Sequence, residues 1–263
     1  MKKINQFLLK DKNKFAQDNK LKSLLAKGER LVLPFVGTGN AFLNTNYSAY
    51  LLADKDPDLI NMFRMLAEHK QKFITIAKKY FLPVYNDEKV YLYYKDGFDN
   101  MPFKVNACDN WALNRASIFL YLKHRRFKEA YNSIQGAIKE TENCSNESYF
   151  PEIAINTLLA KFETCDVEFL TADFATTLTL AKPSDVVFCE PPFVSANKED
   201  YFANNDRIKF TWADLFRLTT NCSKLEERGI PVIISSDNIN GENMTRMNLP
   251  ASGDIQMELT GEK

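Results

Sequence analysis

The sequence predicts a doubly wound, mostly parallel α/β sheet with an inserted helical subdomain. Three observations predict it. Short apolar runs alternate with stretches of helical periodicity, several of those runs end in polar residues, and between about residue 82 and residue 150 the buried runs stop while helical, aromatic and charged segments continue. In sheets of this kind ligands bind outside the C-terminal ends of the strands, so the polar residues at those ends are where function is sought first.

Taken in order, GERLVLPFVGTGNAFLN (28–44) reads as strand, glycine-containing turn and helix. YLLADKD (50–56) is a second buried strand ending in acids. PDLINMFRMLAEHKQKFITIAKKYF (57–81) has proline near its start and apolar residues at helical spacing, which predicts one long amphipathic helix. The insertion divides the chain into an α/β domain of residues 1–81 and 151–263 and a helical subdomain of residues 82–150. VEFLTADF (167–174), DVVFCEPPF (185–193) and IPVIISSDN (230–238) supply three more strands, and FTWADLFRLTTNCSKLEERG (210–229) is a capped helix between the last two.

Composition bounds the rest. A chain of 263 residues, 45% apolar and 26% charged, can bury one sizeable core with a subdomain beside it. The formal net charge is zero, which argues against a protein basic over its whole surface and leaves room for a local basic face. The five cysteines are odd in number and never at metal-ligand spacing, so they read as reduced thiols of a cytoplasmic protein. Two histidines, His69 and His124, are too few for a histidine metal site, and no metal is expected. No apolar run has the length of a membrane span, and the basic start MKKINQFLLKDKNK lacks the apolar core and cleavage site of a signal peptide.

Candidate chemistry sits at the predicted strand ends. Gly37 and Gly39 lie in the first strand-to-helix turn, where a bare backbone can approach a ligand; a plain tight turn is the competing reading. Asp54 ends the second strand, where a carboxylate can accept both ribose hydroxyls of a nucleoside or simply be solvated. Asp173 and Phe174 follow the third strand, as an adenine-amine acceptor with a stacking ring or as a cap and a core residue. In CEPPF, the prolines stiffen the turn and aim carbonyls outward beside Glu190, a cluster of acceptors that suits an exocyclic amine, while Phe193 can stack on a planar base. An adenine N6 is a weak nucleophile, and accepting its hydrogens keeps its lone pair available for attack on a sulfonium methyl. Such a base must first leave the duplex stack, at roughly a few kcal/mol. KHRRFK (123–128) offers Lys123, His124, Arg125, Arg126 and Lys128 as a phosphate-contacting patch or as a solvated helix face.

On these residues, and on FLLKDKNK, GERLVLPFVGTGNAFLN, YLLADKDPDLIN, ASIFLYL, YFPE, ADF, CEPPF, FT and IPVIIS in that order, the sequence resembles the Dam family of DNA adenine-N6 methyltransferases, which methylate adenine in GATC. The resemblance implies a Rossmann-like methyltransferase fold, S-adenosylmethionine as cofactor and double-stranded DNA as partner. It implies that Lys14, Phe35, Gly37, Gly39, Asp54, Asp173 and Phe174 hold the cofactor, and that Glu190, Pro191, Pro192 and Phe193 stand at the catalytic Asp-Pro-Pro-Tyr motif.

The departures from that pattern fall on the chemistry. KDKNK (10–14) keeps Lys14 but lacks both glycines of the family's Trp-Ala-Gly-Gly-Lys; Leu33 stands where an acid meets the methionine amine; Glu190 and Phe193 replace Asp and Tyr. The DNA-reading segment is replaced by helical sequence, and the tail after residue 238 is polar and unlike the family's closing strand pair. These changes predict a homologue impaired in methyl transfer that keeps recognition of DNA or of a protein partner. The alternatives are an active enzyme working through Glu190 and Phe193, and a protein-interaction module that binds neither ligand.

Overall fold

The computed structural model describes residues 21, 25–124, 149–192 and 210–235. Five parallel strands form one sheet: β1 (Arg30–Leu33), β2 (Ala49–Asp54), β3 (Asp166–Thr171), β4 (Asp185–Cys189) and β5 (Val232–Ile234), in the order β3-β2-β1-β4-β5. The chain winds outward from β1 to β3, then returns to β4 on the other side of β1, which puts the topological switch point between β1 and β4.

The strands form where the sequence places apolar runs, and the sheet uses both faces of them. Leu31, Leu33, Tyr50, Leu52, Val186 and Phe188 enter one core, whereas Val32, Leu51, Val187 and Cys189 enter the other. Successive side chains point to opposite faces, so continuous apolar runs are what a doubly covered sheet requires. β3 differs. As an edge strand it is only partly buried, and its charged Asp166 and Glu168 lie exposed, which blunts the open edge against pairing with another chain.

The described residues form seven α-helices: α1 (Asn40–Leu43), α2 (Pro57–Lys79), α3 (Glu88–Asn100), α4 (Asp109–His124), α5 (Glu152–Phe162), α6 (Phe174–Thr179) and α7 (Trp212–Glu227). The first core is closed by α1, α2, α4 and α5, and the second by α6 and α7. Helix starts follow capping chemistry. Asp56 accepts the Asp58 and Leu59 amides at the head of α2, with Pro57 in its first turn. Thr211 and Asp214 form a reciprocal capping box on α7.

Two features were not expected. α2 ends at Lys79 and is not one continuous helix: Lys70 has φ 30 and ψ −101, a kink at which its Nζ reaches Glu163 at 3.0 Å. A non-glycine residue in such a region costs about 1–3 kcal/mol, held in place here by packing on either side. Within the helical stretch, α4 sends Leu113, Ala116, Phe119 and Leu120 into the same core as Leu66, Phe73 and Ile74 of α2, while α3 buries only Tyr91. Arg115 of α4 fixes this docking with a buried bidentate pair to Asp58 (2.6 and 2.9 Å) and a bond to the Met101 carbonyl (2.7 Å).

Candidate active site

Register assembles the site. Leu33 pairs with Leu52, Val32 with Val187, Asp54 with Thr171 and Cys189 with Ile234. The ladder continues past the ends of β3 and β5, since Ala172 N–H donates to Asp54 at 3.0 Å and Ser235 N–H to Cys189 at 2.8 Å, but past β1 it slips by one residue: Val36 N–H donates to the Ala53 carbonyl at 2.9 Å where the register would put Phe35. Leu52 and Phe188 share the level of Leu33, and Asp54 and Glu190 each lie two residues beyond it, at the ends of the strands on either side of β1.

The glycine turn has two parts. Gly37 has φ 50, and a methyl group placed on it would meet nothing within 4 Å among the described residues, so its backbone borders open space there. Gly39 has φ 81, and a methyl group there would lie 3.1 Å from the Phe63 ring, so this glycine serves packing. One residue later, Asn40 Oδ1 is buried with no hydrogen-bond partner, in a residue 8% exposed. Such orphan acceptors are rare, and one beside a glycine turn calls for a donor.

Asp54 follows from the end of β2. Its Oδ1 accepts the Asp56 amide at 3.0 Å and its Oδ2 the Gly37 amide at 3.4 Å. Burial pushes this carboxyl above the usual carboxylate range, against the pull of those two amides. Asp56 is raised by burial too, opposed by its capping bonds and by the charge of Lys123. Asp173 caps α6, and both of its bonds, from Ala175 N–H and Arg217 Nη2, fall on Oδ1 at 2.9 Å.

Phe174 does not offer a free face. It is 4% exposed, its ring stacks on Phe35 with centroids 5.4 Å apart, Phe210 lies at 6.0 Å, and the Arg217 guanidinium sits 4.9 Å from its centroid. A purine can meet the rim of this cluster and not its interior. Glu190 and Pro191 are half-buried at the end of β4 and Pro192 is exposed. Leu33 is 1% exposed within the first core, where an acid would stand in apolar surroundings.

The basic stretch is placed in part. Lys123 is half-buried, with Nζ 5.4 Å from the Phe119 ring. His124 is 7% exposed with its ring edge-on to Phe81 at 5.9 Å, so it belongs to the core and not to a solvent-facing stripe of cations. Its position near the end of a helix that is covered on several sides turns it inward. Lys14, Arg125, Arg126, Lys128 and Phe193 lie outside the described residues, as does the tail. The site residues that sequence reasoning missed are Arg217, Phe210 and Asn40. The Asp214–Arg217 spacing was visible, but the contact of Arg217 with Asp173 spans 44 residues and has no local signature.

The acceptor set fits an adenosine-bearing ligand. Asp54 and Asp173 supply carboxylate oxygens, Gly37 an open backbone edge and Asn40 a buried acceptor in need of a donor. Among the described residues no group of three or more His, Cys, Asp or Glu could hold a metal ion, and no helix is long and apolar enough to cross a membrane.

Comparison with known proteins agrees with the motifs. A family model described as D12 class N6 adenine-specific DNA methyltransferase matches residues 13–251. The chain is 32% identical over 239 residues to the DNA adenine methylase of Vibrio cholerae serotype O1, covering 90% of this chain and 82% of that protein. It is 30% identical over 240 residues to the DNA adenine methylase of Escherichia coli K12, with the same shares of 90% and 82%. It is also 30% identical over 214 residues to the DNA N-6-adenine-methyltransferase of Escherichia phage P1, covering 81% of this chain and 27% of that longer protein.

Proposed function

We propose, from the premise that this chain belongs to the D12 class of N6 adenine-specific DNA methyltransferases, which depend on S-adenosylmethionine, that it binds this cofactor at the carboxyl edge of its sheet and methylates adenine N6 in double-stranded DNA slowly, through Glu190. The observation that supports the reading is that Asp54 and Glu190 each lie two residues beyond the common level of Leu52, Leu33 and Phe188, at the ends of the strands on either side of β1. A cofactor acid and an amine acceptor thus stand at one edge of the sheet, beside the switch point.

When bound, S-adenosylmethionine supplies an electrophilic methyl group. The chain does the rest. Asp54 receives the ribose hydroxyls, Asp173 Oδ2 receives the amine of the cofactor's adenine, and the Gly37 backbone borders the ligand without a side chain between them. Glu190 accepts a hydrogen bond from the target amine, keeps its lone pair aimed at the methyl carbon, and takes the proton that N6 loses as the new bond forms. The extra methylene of Glu displaces the carboxylate by about 1 Å relative to Asp, and misplacement of that size lowers rates roughly a hundredfold.

The test is transfer of labelled methyl groups to a GATC duplex by the purified chain. Glu190→Asp is expected to raise the rate roughly a hundredfold and Glu190→Gln to abolish it. A wild-type rate unchanged in Glu190→Gln would overturn the role of Glu190. Failure to bind S-adenosylmethionine at all would overturn the reading. A second reading, recognition of DNA or a protein partner in the cytoplasm without transfer, is favoured by Leu33, which leaves the cofactor's ammonium without the family's carboxylate. It predicts salt-dependent DNA binding with no cofactor binding.

A further inference from the structure

We infer that Arg217 is a positioning residue for the purine end of this site, and that by fixing Asp173 it makes the site select a 6-amino over a 6-oxo purine. The inference rests on the cofactor reading proposed above and names a determinant that the reading does not contain.

Arg217 joins two helices. Its Nη1 donates to Asp214 Oδ1 on its own helix at 2.9 Å, and its Nη2 donates to Asp173 Oδ1 at the head of α6, also at 2.9 Å. Its guanidinium carbon stands 4.9 Å from the centre of the Phe174 ring. Asp214 is itself held: its Oδ2 accepts the Thr211 amide at 2.9 Å and the Thr211 hydroxyl at 2.7 Å. The Thr211 hydroxyl, with the Thr211 amide and Arg217, keeps Asp214 below the usual carboxylate range. A chain of fixed groups therefore runs from the α7 cap through Asp214 and Arg217 to Asp173. Both arms of a long side chain that is 48% exposed are committed.

The consequence lies on Asp173. Ala175 N–H and Arg217 Nη2 both land on Oδ1, which leaves Oδ2 as the oxygen that can meet a ligand. Arg217 stands 2.9 Å from this carboxylate, and a carboxylate accepts hydrogen bonds without donating them. A 6-amino purine brings a donor to such an edge. A 6-oxo purine brings a second acceptor, and a site built around a ligand donor rejects strongly the analogue that lacks it. Without Arg217, Asp173 keeps only the Ala175 bond and can turn about its side-chain torsions, so that Oδ2 is no longer held toward the ligand. Ion pairs this exposed add little to folding, so removing Arg217 is expected to register in ligand choice more than in stability.

The experiment compares binding of S-adenosylhomocysteine with that of its 6-oxo counterpart, S-inosylhomocysteine, to the full chain by calorimetry. Wild type should prefer the adenosyl form roughly a hundredfold. Arg217→Ala should bring that ratio below about tenfold, Arg217→Gln, which keeps the stem and removes the charge, should do the same, and Arg217→Lys should restore part of it. An unchanged ratio in both Arg217→Ala and Arg217→Gln, with S-adenosylhomocysteine still bound, would overturn the role of Arg217. Absence of S-adenosylhomocysteine binding to wild type would instead overturn the cofactor reading, and the inference with it.

Discussion

Truncating Arg115 tests whether the helical stretch is held to the sheet by a buried charge pair. Arg115 and Asp58 are joined by two bonds of 2.6 and 2.9 Å, with side chains only 6% and 9% exposed. The guanidinium also bonds the Met101 carbonyl at 2.7 Å and lies 4.1 Å from the centre of the Phe98 ring. Arg115→Ala strips all of this from Asp58 and leaves a carboxylate in a closed seam between α2 and α4. Breaking one side of such a pair costs about 3–5 kcal/mol, whereas an exposed pair would cost about 0–1 kcal/mol. With each kcal/mol worth about 2–4 °C in a chain of this size, the midpoint of thermal unfolding should fall by about 10 °C. Asp58→Ala should do nearly the same. Replacing both residues together with apolar ones, Asp58→Leu with Arg115→Met, should recover most of the loss. Urea unfolding of Arg115→Ala, Asp58→Ala and the double alanine variant in a cycle gives the coupling directly. A coupling below about 1 kcal/mol would show that the pair behaves as a surface contact, and the account of how α4 docks would fail with it.

Other outcomes follow from the site. If Asp54 receives the two ribose hydroxyls as proposed, Asp54→Asn should weaken S-adenosylhomocysteine binding at least a hundredfold by calorimetry, each such bond contributing about 1.5–3 kcal/mol. Burial raises the Asp54 carboxyl, so the folded chain holds a proton there at a pH where the unfolded chain has released it. Its contribution to stability therefore falls as pH rises from the ordinary carboxylate value through the raised one. Melting curves taken from neutral pH down to the ordinary carboxylate range should show wild type gaining on Asp54→Asn as pH falls. Gly37→Ala should cost about 1–2 kcal/mol for its left-handed φ and lower cofactor affinity, because the added methyl enters the open side of the turn. Gly39→Ala meets Phe63 as well and should destabilise more, which urea unfolding of the two variants would order.

The strands were legible because a sheet covered on both faces needs unbroken apolar runs, and RLVL, YLLAD and DVVFC are such runs. The strand ends then located the Gly37 turn, Asp54, Asp173 and Glu190 without further information, since a parallel sheet gathers those ends on one edge. The α7 start was legible from Thr211 and Asp214, whose chemistry is local. What failed to show was contact between distant segments. Phe174 reads as a ligand-stacking ring until Phe35 and Phe210 are seen against it. His124 reads as one of a run of cations, because charge is visible in sequence and the neighbour that buries it is not. The break at Lys70 leaves no trace either, since neither glycine nor proline marks it.

The shared level across the sheet also acts as a measuring scale. Each residue step along a strand is about 3.3 Å and turns the side chain to the other face. The extra methylene at position 190 adds one bond of about 1.5 Å, less than half a step, and leaves the face unchanged. Glu190 therefore falls inside the error that side-chain torsions can correct, whereas a slip of β4 by one residue would not. What the longer side chain adds at this position is one more rotatable bond between a rigid scaffold and its acceptor. Whatever fixes that bond, including a base packing around it, sets where the carboxylate points.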